Sequence, residues 1–159
     1  MEILRAIHGF NFGYPIIIGF VVWLLWSLFL IFRPQIPRAF NLYTNLLWIV
    51  VGINALAGII LALSGNRVPI ATPGPAEGLS SVCGSGVNCL PLDPSRNWEH
   101  AMYGGFLILS LAAASLFYRG TLIDRRTGAR WMWLVALFAA GVAFRAGQVA
   151  FTPGATPGT

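Results

Sequence analysis

Four long runs without a charged residue organise this chain. No charge falls between Arg5 and Arg33, between Arg38 and Arg67, or between Glu99 and Arg119, and only Arg145 interrupts the stretch after Arg130. About 20 apolar residues cross a hydrocarbon layer roughly 30 Å thick. The pattern therefore predicts four membrane-spanning segments, over about 14–32, 42–64, 101–118 and 131–151. Helices are required, because in lipid every backbone N–H and C=O must find its partner within its own segment. The period-two alternation of a membrane β-barrel is absent. The expected fold is all-α, a single membrane domain over 1–159 in which short connections make consecutive spans antiparallel neighbours in an up-down four-helix bundle. The first and third spans run parallel and can lie diagonally across its core.

Composition narrows the class further. The chain has 159 residues, of which 57% are hydrophobic and only 9% charged, and its mean hydropathy is +0.72. A soluble domain carries about 25% charge, so a soluble enzyme, a disordered tail and a secreted disulfide scaffold are excluded. The first apolar run ends at Phe32–Arg33 with no small-residue cleavage site, so it is expected to be a retained span and not a signal peptide.

The net charge is +5, and all ten basic residues are arginine. They sit between apolar runs and form no basic stripe, which argues against nucleic acid as a partner. Topology explains them better. The connections Arg33–Arg38 and Arg119–Arg130 hold six arginines against one acid, Asp124, whereas the stretch 65–99 holds two arginines and three acids. The positive-inside rule then places the arginine-rich connections in the cytoplasm of a bacterial inner membrane, and both termini on the periplasmic side.

Cys83 and Cys89 fall in a Gly/Ser/Pro-rich part of the long outer loop. The expected state is a disulfide, which persists in an oxidising compartment. Free thiols remain an alternative. A metal site would need three or four convergent soft ligands, and this loop has no histidine.

Few residues offer chemistry. The only two histidines, His8 and His100, belong to the outer ends of the first and third spans. Imidazole is the usual axial ligand of a b-type haem, and facing helices of a bundle commonly hold a cofactor between them. Arg145 lies about 9 Å below the outer end of the fourth span, at 1.5 Å per residue. A cation at that depth is costly and should meet an anion. Glu99 is one candidate; a haem propionate or a lipid phosphate is another, since guanidinium grips either in a fork. Gln148, one turn on, shares its face, and Asn11 and Tyr103 complete a possible polar cluster. The plain alternatives are a solvated His8, a His100 that caps its helix, and an Arg145 that snorkels outward. Asn41, Asn45 and Asn54 are explained by hydrogen bonds between helices. No Ser–His–Asp set, paired intramembrane carboxylates or phosphate-binding loop can be assembled, so neither an enzyme nor a transporter is expected.

The segment His8-Gly-Phe-Asn-Phe-Gly-Tyr-Pro15-Ile resembles the opening of the DUF2231 type of bacterial four-helix membrane protein, whose pattern is His-Pro-x-Leu-Val-His-Phe-Pro-Ile. His8 and Pro15 match in register, and the second family histidine falls on Gly13. His100 matches a histidine near the start of the third family helix. Arg145-Ala-Gly-Gln148-Val-Ala is similar to the closing Thr-Gly-His-x-Gly-Gly, with Gly147 in place and Gln148 where the histidine stands. The resemblance implies a partner of redox proteins with haem on outer-side histidines, and the two missing histidines leave at most one bis-histidine site, or equally a structural subunit whose site has decayed.

Two functions follow. The first is a haem-b-bearing subunit of a respiratory or photosynthetic electron-transfer complex. There His8 and His100 are axial ligands, Arg145 meets a propionate, and Gln148 or Tyr103 lines the pocket. A chlorophyll-type pigment on one imidazole is a variant of it. The second is a cofactor-free accessory subunit packed against a larger membrane complex. The expected partners are the lipid bilayer and other membrane redox subunits.

Overall fold

The computed structural model describes residues 2–66 and 94–151. Cys83 and Cys89, with most of the long outer loop and the tail after residue 151, lie outside the described residues. Five helices make up the described chain: α1 (Glu2–His8), α2 (Phe10–Phe32), α3 (Arg38–Leu63), α4 (Pro94–Arg119) and α5 (Arg125–Phe151). The last four are long and apolar enough to cross a membrane, and no strand occurs among the described residues.

The helices reach beyond the apolar runs that predict them. α4 starts at Pro94, where the missing N–H of proline costs nothing because the first turn has no acceptor for it. Its first turns are polar, so an apolar-run criterion starts the helix too late. At the other end α4 stops at Gly120, whose φ of 71° is a left-handed value that glycine adopts without a Cβ clash. Gly120 N–H donates to Phe117 O, and Thr121 N–H donates to Leu116 O, satisfying carbonyls that the helix leaves open. Gly65 (φ 85°) closes α3 in the same way, with Asn66 N–H on Leu61 O.

The short helix α1 is not visible in the apolar pattern. It ends at His8, and Gly9 bends the chain before α2 begins. Gly9 N–H donates to Arg5 O at 2.8 Å, and a Cβ at Gly9 would lie 2.6 Å from that oxygen. The bend therefore requires glycine. α1 then packs against α3 and α2.

The long helices form a ring. α5 packs along α2 and α4, and α3 packs along the same two, while α2 with α4 and α3 with α5 make no contact among the described residues. α2 and α4 are thus one diagonal of the bundle. The closest approach comes from α5, whose inward face carries Ala129, Met132, Ala136, Ala139, Ala140 and Ala143, all buried. Small side chains at helical spacing let backbones come together, which is the main source of packing energy where lipid removes the hydrophobic drive. Trp23, Phe20 and Phe40 fill the wider space on the α2–α3 side. Phe29, Leu56, Leu109 and Phe144 face outward, as a bilayer solvent permits.

The buried indole and hydroxyl groups between the helices are paired, as a lipid surrounding demands. Trp23 Nε1 donates to Thr44 Oγ1 at 3.0 Å, and Thr44 Oγ1 in turn donates to Phe40 O. Trp48 Nε1 donates to Ser115 Oγ at 3.1 Å, tying α3 to α4. Ser27 and Ser110 donate hydrogen bonds to carbonyls of their own helices.

Candidate functional site

The site lies at the end of the bundle where α1, the last turns of α3 and α5, and the first turns of α4 meet. It is built on two imidazoles. His8, the last residue of α1, directs Nδ1 to Asn54 O of α3 at 2.9 Å. Asn54 also donates its side-chain N–H to Ile7 O at 3.0 Å, so one residue of α3 grips α1 twice. One turn further along α3, Gly58 faces the His8 ring, and a Cβ there would overlap it. Arg5 adds a second tether, donating to Asn66 Oδ1 at 2.8 Å. His100, in the second turn of α4, directs Nδ1 to Ala146 O of α5 at 3.2 Å.

Both Nδ1 atoms face carbonyl oxygens, which only accept. Each imidazole must therefore carry a proton on Nδ1, leaving Nε2 as a bare acceptor in the neutral ring. The two Nε2 atoms lie 3.4 Å apart, with the rings nearly perpendicular and their centroids 5.6 Å apart. Two neutral imidazoles in this arrangement point lone pairs at each other. A proton or a metal ion between them would turn that repulsion into a bond.

Beside the imidazoles lies an ion pair. Arg145 Nη2 donates to Glu99 Oε1 at 3.0 Å, with the side chains 28% and 14% exposed. Tyr103 OH donates to the same Glu99 oxygen at 3.0 Å, and Arg145 Nε reaches Tyr103 OH at 3.4 Å. Gln148 Oε1 stands 3.5 Å from Arg145 Nη1, a weak contact that leaves this edge of the guanidinium lightly engaged. Helical spacing explains the grouping: Glu99, His100 and Tyr103 share one face of α4, and Arg145 and Gln148 one face of α5. Glu99 Oε2 is buried and has no hydrogen-bond partner among the described residues. Arg145 does not snorkel outward; it turns to α4. The side chain of Asn11 lies outside the described residues.

Arg96 was hidden from a reading of the apolar runs. It is 1% exposed and donates to Val149 O, one of the carbonyls that the end of α5 leaves without an intrahelical partner. A cation at a helix C-terminus also opposes the negative end of the helix dipole. The signal for it was present: Pro94 marks a helix start, after which Arg96, Glu99, His100 and Tyr103 follow at helical spacing. Asn54 is the other residue whose role here exceeds what its sequence context suggested.

No protein-family model matches the chain, and neither a curated protein nor a solved structure matches it.

Proposed function

We propose that the protein is an integral membrane electron-transfer subunit of the bacterial inner membrane that holds a b-type haem between His8 and His100. The observation that carries this reading is the opposition of two Nε2 lone pairs at 3.4 Å, each ring fixed by a backbone carbonyl at Nδ1. Metal-ligating histidines are commonly oriented in this way, with the second nitrogen held by a carbonyl or carboxylate. The donor set suits haem iron, for which imidazole is a usual axial ligand.

His8 and His100 would hold the iron through Nε2, the nitrogen that each ring leaves free of a backbone carbonyl. In this reading Asn54 and Ala146 set the tautomers. The lightly engaged edge of Arg145 offers a fork to a propionate, and Tyr103 and Gln148 flank it. The haem would supply one-electron iron chemistry.

The 3.4 Å spacing also favours a second reading. Two imidazoles on one small ion, with bonds of 2.0–2.1 Å and an angle of about 110–115°, give the same separation. No group of three His, Cys, Asp or Glu side chains suited to a metal occurs among the described residues, so such an ion would complete its shell with water or another donor.

One preparation tests both. The protein is purified from membranes of cells supplied with haem precursor, and its reduced-minus-oxidised spectrum and metal content are recorded. Haem binding predicts a b-type α-band with iron near one per chain, both lost in His8→Ala and in His100→Ala. Zinc or copper without an α-band supports the bare ion. Neither haem nor metal in the folded protein overturns both readings and leaves the cofactor-free accessory subunit.

A further inference from the structure

The end of the bundle opposite the histidines carries an unassigned cavity of about 600 Å³, lined by Arg33, Pro34, Gln35, Ile36, Arg125 and Arg126. Its walls come from two hairpins: Arg33–Ile36 join α2 to α3, and Arg125 and Arg126 open α5. Three arginines therefore line one space. Among the described residues no carboxylate lies within ion-pair distance of any of them; the single ion pair is at the other end. Asp124 is the nearest acid in sequence, and its Oδ1 is taken by the N–H groups of Arg126 and Thr127, both at 3.0 Å. Arg125 is held in place, with Nε donating to Tyr118 O at 2.8 Å and its guanidinium carbon 4.9 Å from the Tyr118 ring centroid.

We propose that this cavity binds the phosphate headgroup of an anionic phospholipid, which bridges the two hairpins. Three like charges around one space are stable with an anion among them, and arginine matches phosphate with a two-pronged fork. Basic pockets between membrane helices at one face of the bilayer recognise anionic headgroups in this way. A lipid fits better than a soluble anion because exposed apolar side chains precede Arg33 on α2. Arg33 follows Phe32, and Phe32 and Phe29 are 82% and 70% exposed, an apolar bed next to the cations for acyl chains.

The test is native mass spectrometry of the detergent-purified protein titrated with equal amounts of phosphatidylglycerol and phosphatidylcholine, with sodium phosphate as a separate arm. The wild type should retain phosphatidylglycerol preferentially. Arg33→Gln with Arg126→Gln, which spares the Arg125–Tyr118 contact, should weaken it about thirtyfold, as the loss of two surface arginines implies. Arg33→Lys with Arg126→Lys keeps the charge and should keep most of the preference, which separates loss of the site from loss of the fold. Equal retention of both lipids, or retention unchanged in the glutamine variant, overturns the proposal. Sodium phosphate that binds as tightly as the lipid overturns the assignment to a lipid.

Discussion

The two ends of this bundle treat charge in opposite ways. At the histidine end the ionisable groups are turned inward and tethered: both imidazoles to backbone carbonyls, Arg145 to Glu99, Arg96 to the last turn of α5. At the other end three arginines line one cavity, and among the described residues none of them is in an ion pair. The positive-inside rule accounts for arginines that lie in short connections, since it needs only their location. It gives no reason for two arginines and two imidazoles to be drawn into the bundle at the opposite end. Charge that is organised by specific acceptors marks the end where redox chemistry is to be sought.

Several substitutions would break or sharpen this contrast. Glu99→Ala should have the largest effect. It removes the counter-ion of Arg145 and the acceptor of Tyr103, and should cost about 2–3 kcal/mol, the value of hydrogen bonds to charged groups, measured as thermal unfolding in detergent. Gly58→Ala pushes a methyl group onto the His8 ring. The expected net cost is about 1–2 kcal/mol, after overpacking is offset by better helix propensity. Gly52→Ala, on the same helix but facing open space, should instead be neutral or slightly stabilising. An equal cost at both positions would mean that His8 does not pack there.

Asn54→Ala should cost about 0.6–1 kcal/mol, typical of a hydrogen bond between membrane helices. Its signature is local: amide exchange accelerates in α1 and stays slow in α2–α5. At the arginine end, Arg126→Gln without added lipid should change stability by less than about 0.5 kcal/mol. A larger loss there would erase the distinction between the two ends.

The smallest effect concerns pH. Hydrogen bonds from Thr127, side chain first and backbone next, hold the Asp124 carboxyl below its ordinary range. The capping contribution is complete above the usual aspartate pKa of about 3.9 and is lost as pH falls through the depressed value. Slow exchange of the Arg126 and Thr127 amides should therefore persist on acidification past the usual value. Loss of protection near the ordinary pKa would show that the cap does not bind the charged form preferentially.

How much of this was readable beforehand differs between helix and face. The four spans were legible because charge is so costly in lipid that its absence marks them. The grouping of Glu99, Tyr103, Arg145 and Gln148 was legible from helical spacing and from the depth of Arg145. Helix rotation was not. In water, the polar face of a helix announces which side is buried; α2 and α3 are apolar all round, so that signal vanishes. The alanine stripe of α5 carried the missing information, since small residues mark the contact face, whereas the conspicuous glycines Gly52, Gly104, Gly105 and Gly141 face open space. The separate helix α1 and its clamp on Asn54 were hidden for another reason. They depend on a bend at a single residue, Gly9, and on a backbone carbonyl, which every residue possesses and no sequence pattern reveals.

The position of α5 has a bearing on biogenesis. It is the common neighbour of α2 and α4, and it contributes Arg145, Gln148 and the Ala146 carbonyl that orients His100. It is also the last of these helices to leave the ribosome. The earlier helices can enter the membrane one after another, but the imidazole pair acquires its final geometry only when this closing helix docks. Any group that both imidazoles were to hold would therefore find its site complete only after α5 has docked.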